Sequence, residues 1–447
     1  MFDVIHPRGE RVERRDHDQL APSGPIEISR FHAGIGSLDV LRALRGNRRK
    51  PRPLALNLQL PGTLRGAGQP MAAYLDALLR EIDLVGCHLG GFQRVEQFHL
   101  AGGTPDPVPV QRLLAQLHKR FNFLAYEGGD YGVDVDLPGT DWASMGLLRE
   151  QGFNHVSIGV PDSGCACEHS TACYQDPAPI QSLLDAARTF GYRSVSVDLG
   201  YGHAWQTPAS FALKLTSLIE LEPDRVQVFD YAQPPARYPR SLHQAACSAA
   251  DKALMRRLCF EQLPAAGYLH IGLGLFVRPD DDLALAQERG QLSRNYRGFT
   301  RHGYCDHIGL GLGAVSQFER LHAQNTEVLG DYLEQLQQGQ LATWRGWRCE
   351  PGAQIRQWVT ERLACDLELD VRAIEQRYGL IFRQFFAQAW RQLETMARAG
   401  LVELSEDFIS ILPAGRLEVD RICQLFEQLE RPTVDLYQQW QDHDAHS

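Results

Sequence analysis

The stretch RVEQFHLAGGTPDPVPVQRLLAQLHKRF, residues 94–121, contains one complete strand–turn–helix unit. RVEQFHL (94–100) alternates apolar and polar residues at the period of a strand. VQRLLAQLHKRF (110–121) places its apolar residues three and four apart, as an amphipathic helix does. Between them AGGTP (101–105) has the glycines and proline of a tight turn. The unit recurs. LALNLQL (54–60), YGVDVD (131–136), HVSIGV (155–160), SVSVDL (194–199) and RVQVFDY (225–231) are the other expected strands. The helices expected between them are MAAYLDALLREIDLV (71–85), WASMGLLREQG (142–152), IQSLLDAARTFG (180–191) and SFALKLTSLIEL (210–221). Helix-starting Pro and Asp residues precede several of them, and Gly152, Gly191 and Gly267 stand at helix C-termini. Six such repeats predict an α/β fold with a parallel sheet and right-handed crossovers, either a barrel or an open sheet.

In a parallel barrel the chemistry sits at the carboxyl ends of the strands. That singles out AGGTP after the second strand, PDSGCAC (161–167) after the fourth and GYGHAW (200–205) after the fifth. The loop after the first strand, PGTLRGAG (61–68), has no metal ligand, acid or base, and no hydroxyl besides Thr63. From about residue 355 the pattern turns helical: IRQWVTERLAC (355–365), VRAIEQRYG (371–379) and FFAQAWRQLETMARAG (385–400). A strand-like pair, LVELS (401–405) and FISILP (408–413), follows and resembles a winged helix. Sixteen acids against ten arginines and no lysine across 355–447 have the wrong sign for a DNA reader. A packing or lid domain is expected there instead.

Composition narrows the partners. The 447-residue chain is 44% hydrophobic and 22% charged, with a formal net charge of −10. Phosphate binding needs clustered cations, so nucleic acid is excluded as the main partner. Only four lysines occur, Lys50, Lys119, Lys214 and Lys252, so no polybasic membrane-binding run exists. With no apolar run of about 18 residues and no secretory leader, the expected location is the cytoplasm, where the ten cysteines stay reduced.

CACEHSTAC (165–173) packs three of those cysteines and a histidine into nine positions past the fourth strand. Cys165, Cys167, His169 and Cys173 form a chemically reasonable set for zinc or for a three-cysteine iron–sulfur cluster. The C-x-C-x-H-x3-C spacing is no standard signature, and small buried cysteines are the alternative reading. Cys305 and His307 are further residues able to approach the same mouth. His203 in GYGHAW reads as a hydrogen-bonded surface histidine or as an axial or acid–base group. Trp205 beside it reads as a packing or ring-stacking residue.

LFVRPDDDLALAQERGQLSRNYRGFTRHGYCDHIGLGLGAVS (275–316), with FHLAGGTP, QGFNHVSIGV, SVDLGYG, VFDYAQPP and ILPAGRLEVDRIC, resembles the oxygen-independent coproporphyrinogen III oxidases. These are radical S-adenosylmethionine (SAM) enzymes, and the resemblance runs from about Arg30 to Phe426. It implies an incomplete TIM-like (β/α)6 radical-SAM-type barrel with a C-terminal, mostly helical, winged-helix-like lid. The segments expected are 1–50 at the N-terminus, 51–266 as barrel, 267–350 as a connecting region with family motifs, and 351–447 as lid. It further implies a porphyrinogen substrate, SAM, and a [4Fe–4S] cluster on three cysteines after the first strand. By resemblance, Gly102, Gly103, Thr104, Asp134, Asp198, Ala232 and Val315 are the SAM-contact positions, with Asp134 replacing a glutamate.

The chain departs from that pattern where the chemistry would start. The three cluster positions match Thr63, Ala67 and Pro70, and no cysteine precedes Cys87. Asn57 replaces an aromatic residue, Pro161 a glutamine, Cys173 an arginine and Arg297 a glutamine. A [4Fe–4S] cluster at the family position is therefore not expected. Three functions compete. One is a degenerate oxidase that keeps a tetrapyrrole or SAM-like ligand without standard radical chemistry. The second is a redox enzyme with a cluster relocated to Cys165, Cys167 and Cys173. The third is a regulatory or interaction protein.

Overall fold

Leu54, Leu56 and Leu58 are fully buried in the core, while Asn57 and Gln59, between and beyond them, face the interior of the sheet's curve. That alternation sets the first strand of a computed structural model describing residues 30–64, 68–89, 93–124, 128–137, 139–160, 177–204, 206–231 and 247–427. All six expected strands form. They are β1 (Leu54–Gln59), β2 (Arg94–Ala101) with the two-residue β3 (Asn122–Phe123) beside it, β4 (Asp130–Asp136), β5 (His155–Gly159), β6 (Ser194–Tyr201) and β7 (Arg225–Asp230). Their order is β1-β2-β4-β5-β6-β7 and every neighbour is parallel.

The helices are α1 (Ser37–Arg49), α2 (Gln69–His88), α3 (Pro107–Arg120), α4 (Trp142–Glu150), α5 (Ala178–Phe190), α6 (Pro208–Glu220) and α7 (Ala249–Ala265). Local chemistry starts and stops them. The side chains of Asp106, Asp141 and Thr207 accept hydrogen bonds from the first-turn N–H groups of α3, α4 and α6. At the end of α5, Gly191 takes the left-handed conformation (φ 72°) that stops a helix without strain. Leu78 and Ile82 of α2, Leu113 and Leu117 of α3 and their counterparts pack onto the strands in one continuous core.

Residues 267–350 contribute more than a connection. β8 (Leu269–Gly272) and β9 (Leu275–Val277) add an antiparallel edge beyond β7. After α8 (Asp282–Glu288), β10 (Ser293–Asn295) and β11 (Gly298–Thr300) make a separate hairpin. Next, β12 (Asp306–Leu310) lies parallel to β1 on its free side. β13 (Val315–Gln317), β14 (Leu321–Asn325) and, after α9 (Leu329–Gln337), β15 (Thr343–Arg348) extend that side antiparallel. The parallel strands curve into an incomplete barrel whose two ends are finished by these additions.

The C-terminal region has its own core. It comprises α10 (Pro351–Asp366), β16 (Glu368–Asp370), α11 (Val371–Tyr378), α12 (Phe382–Phe385), α13 (Ala387–Arg398), β17 (Val402–Leu404), β18 (Phe408–Ile411) and α14 (Val419–Glu427). The strand pair expected from sequence gains a third member, β16, which places β18 in the middle. Among the described residues no helix is long and apolar enough to cross a membrane.

Candidate functional site

The pleat that sends Phe98 and Leu100 into the core turns Gln97 and His99 toward the barrel interior. The same alternation on β4 and β6 presents Asp134 and Asp198. These side chains line a cavity of about 1000 Å³. The hairpin β10–β11 bounds it on one side, and Arg416–Arg421, from the 3-10 turn Pro413–Glu418 and the start of α14, bound it on another.

The hairpin is pinned in place. Gln97 Oε1 accepts from Asn295 Nδ2 (2.9 Å) and Thr300 Oγ1 (3.3 Å), and the Arg297 N–H donates to Asn295 Oδ1 (2.9 Å), closing the turn. Arg297 at its tip donates from Nη1 to Asn57 Oδ1 (3.2 Å), and Nη2 lies 3.6 Å from Asp134 Oδ1. Asp134, only 1% exposed, is also 2.9 Å from His99 Nε2 and accepts from the Gly102 N–H at 3.4 Å. A guanidinium thus joins β1 to β4, and its charge falls on a carboxylate that already has a partner. Burial pushes His307 down to about 3 and His270 down to about 4, with nearby cations adding to each shift, so both rings stay neutral at physiological pH.

The residues expected from sequence divide. Asp134 and Asp198 are buried in the cavity wall. Gly102, Gly103 and Thr104 make the turn above β2 and are not among the lining residues. Gly102 has φ +122°, and a Cβ there would lie 1.8 Å from the Leu60 carbonyl oxygen, so the barrel itself requires this glycine. Gly102→Ala is expected to cost about 2–3 kcal/mol in urea-unfolding free energy whether or not a ligand is present. A loss below 0.5 kcal/mol would show that the turn relaxes. Thr104 Oγ1 accepts from the Asp136 N–H (2.8 Å) and contacts Thr140 Oγ1 (2.5 Å), bracing the exit of β4. Val315 is fully buried and outside the lining. Ala232, Pro161, Trp205 and the set Cys165, Cys167, His169 and Cys173 lie outside the described residues.

Two expectations are corrected. Cys305 does not approach the mouth: Asp306 pairs with Leu54 at the start of β1, which places Cys305 at the opposite end, the barrel floor. His307, opposite Ala55, is nearer that floor than the mouth. His203 is no surface residue; it is 4% exposed and its ring lies 3.8 Å from that of Tyr231. Sequence reasoning missed Gln97, His99 and Tyr296 in the wall. The polar alternation of QFHL was the available signal for the first two.

Fold and cavity define a radical-SAM-type partial barrel with a C-terminal cap. The HemN C-terminal domain family matches residues 353–417. Oxygen-independent coproporphyrinogen III oxidase from Pseudomonas aeruginosa is 40% identical over 96% of this chain and 97% of its own length. The Salmonella typhimurium protein of the same name is 36% identical over 82% of this chain and 80% of its own. A solved structure of coproporphyrinogen III oxidase (HemN) from Escherichia coli, described as a radical SAM enzyme, superposes with a TM-score of 0.81 at 33% identity. It covers 91% of this chain and 96% of that one. The chain belongs to the oxygen-independent coproporphyrinogen III oxidase family.

Iron–sulfur clusters are held by thiolates. From Leu60 to Gly68 the residues between β1 and α2 include no Cys, His, Asp or Glu, and Pro70 is already in the first turn of α2. The donor set after β1 does not fit the family's cluster.

Proposed function

We propose that this chain keeps the family's tetrapyrrole cavity and has given up the radical centre at its first loop, acting in porphyrin metabolism by binding a propionate-bearing tetrapyrrole. The observation that carries this reading is Arg297, whose guanidinium spans Asn57 and Asp134 beside the loop that lacks thiolates. The guanidinium offsets the charge of Asp134, the acid that would otherwise attract a sulfonium among the residues assigned to SAM by resemblance. A ligand carboxylate suits a guanidinium better than a sulfonium does. Arg256, Arg416 and Arg421 reach the same cavity, where Asp198, Asp230, Glu418 and Asp420 also stand, so propionates would be held by individual arginines and not by a net positive field.

Aromatic and apolar wall residues, Phe260, Tyr296, Phe299 and Leu275, supply a surface for a flat ring system. Coproporphyrin III titrated into the protein is expected to bind saturably, with quenched porphyrin fluorescence. Arg297→Ala is expected to weaken that binding about 10–100-fold, the worth of one charged hydrogen bond. Absence of saturable binding, or an Arg297→Ala affinity equal to the parent's, overturns the reading.

A further inference from the structure

At the barrel floor, behind the cavity-lining Asp130, Glu96, His302 and Cys305 come together. One ligand atom from each lies within 4.8 Å of the others. All three are buried, at 5%, 7% and 7% exposed. Two local features of the chain create the cluster. The β1–β2 register shifts between Leu54, opposite Val95, and Ala55, opposite Gln97, so Glu96 is the extra residue of a bulge. Bulges re-aim side chains that a regular strand would send elsewhere. Just before β12, the His302 N–H donates to Thr300 Oγ1 (3.0 Å) and the Cys305 N–H to the His302 carbonyl (3.1 Å), a turn that brings both side chains to the floor.

The ring nitrogens of His302 have different surroundings. Nε2 is 2.8 Å from Asp130 Oδ2 and Nδ1 is 3.4 Å from Glu96 Oε2; the two carboxylates outweigh burial and raise the ring's affinity for a proton. An ion that displaces the Nδ1 proton, with Nε2–H still donating to Asp130, would meet the Nδ1 lone pair between Glu96 and Cys305. A carboxylate behind the far nitrogen is how ligating histidines are commonly oriented. The Tyr304 hydroxyl donates to Glu96 Oε2 and holds that carboxylate in place.

We infer that Glu96, His302 Nδ1 and Cys305 Sγ form a buried site for a zinc-like divalent ion that staples β2 to the start of β12 across β1. One sulfur, one imidazole nitrogen and one carboxylate oxygen suit zinc better than calcium or magnesium, which take oxygen ligands. Carboxylate and thiolate together balance the ion's two charges. Binding forms the metal–sulfur bond and releases the thiol proton of Cys305 and the displaced Nδ1 proton to solvent. Three protein donors leave one tetrahedral position for water. The site uses none of the residues of CACEHSTAC and does not depend on the function proposed above.

Cobalt(II) reports sulfur ligation through its thiolate charge-transfer absorption. It is titrated into metal-free, full-length protein in which Cys165, Cys167 and Cys173 are alanine. The expected result is one equivalent bound, with a charge-transfer band that zinc abolishes by displacement. Cys305→Ser is expected to remove the band, and Glu96→Gln, which keeps shape, to weaken binding at least about tenfold. Circular dichroism checks that both variants fold, and Glu96→Gln carries the test should Cys305→Ser not. No thiolate band in the parent, a band surviving Cys305→Ser, or unchanged affinity in Glu96→Gln overturns the assignment.

Discussion

Replacing Glu81 with alanine is expected to destabilise the fold by about 3–5 kcal/mol at pH 5, the cost of breaking a fully buried polar network. Glu81 on α2 accepts from the Gly311 N–H (2.7 Å), the Tyr332 hydroxyl (2.7 Å) and Asn325 Nδ2 (2.6 Å). One side chain thus ties the helix after β1 to the turn after β12, to β14 and to α9. Alanine leaves the Gly311 N–H and the Tyr332 hydroxyl without this acceptor, and leaves Asn325 Nδ2 with the Gly311 carbonyl (2.9 Å). Burial raises the Glu81 carboxyl from 4.5 to about 7, although these hydrogen bonds pull the other way. Between pH 4.5 and 7 the folded chain therefore holds a proton that the unfolded chain has released. Stability from this residue is complete below pH 4.5 and falls by about 3 kcal/mol as pH rises through 7. Glu81→Gln has no such proton, so its unfolding free energy relative to the parent should improve by about 2 kcal/mol between pH 5 and 7.5, the part of that loss inside the window. Urea titrations at the two pH values decide the matter. A difference that stays constant would mean that Glu81 is ionised in the fold at both.

The parts of the molecule legible in the sequence are those whose signal is local. Leu54, Leu56 and Leu58 alternate with Ala55, Asn57 and Gln59 over a full strand, and Asp106, Asp141 and Gly191 mark helix ends by their own capping chemistry. β10 and β11 are three residues each, too short for any period, and they exist because Gln97 holds Asn295 and Thr300 from another element. The wall contact between Arg297 and Asp134 joins residues far apart in the chain, so neither spacing nor composition encodes it. The resemblance marked both positions as substituted or retained, but gave no sign that they pair. Glu96 is hidden for a further reason: a bulge breaks the two-residue alternation by which its direction would be read.

The same contrast between local and assembled features bears on the reaction. Thr63, Ala67 and Pro70 are unambiguous in the sequence, and none of them can ligate iron as a thiolate does. Under anaerobic reduction with SAM and coproporphyrinogen III, the iron- and sulfide-reconstituted protein is expected to form no 5′-deoxyadenosine and no vinyl product. The Escherichia coli protein assayed alongside serves as the positive control. The loss expected is the whole catalytic acceleration, about 10⁶-fold or more, since an enzyme without its reactive centre retains only binding. Coproporphyrin III should still bind under those conditions, which separates a lost reaction from a misfolded cavity. Turnover in the parent that disappears in Cys165→Ala would instead place a working cluster at CACEHSTAC and remove the case for degeneracy. Turnover that survives Cys165→Ala together with Cys167→Ala and Cys173→Ala would require a centre that neither the cysteine-free loop after β1 nor CACEHSTAC accounts for. Arg297 then becomes the discriminating residue. If its guanidinium is what excludes the sulfonium, Arg297→Gln should raise SAM affinity measured by calorimetry while the absent cluster keeps cleavage at zero.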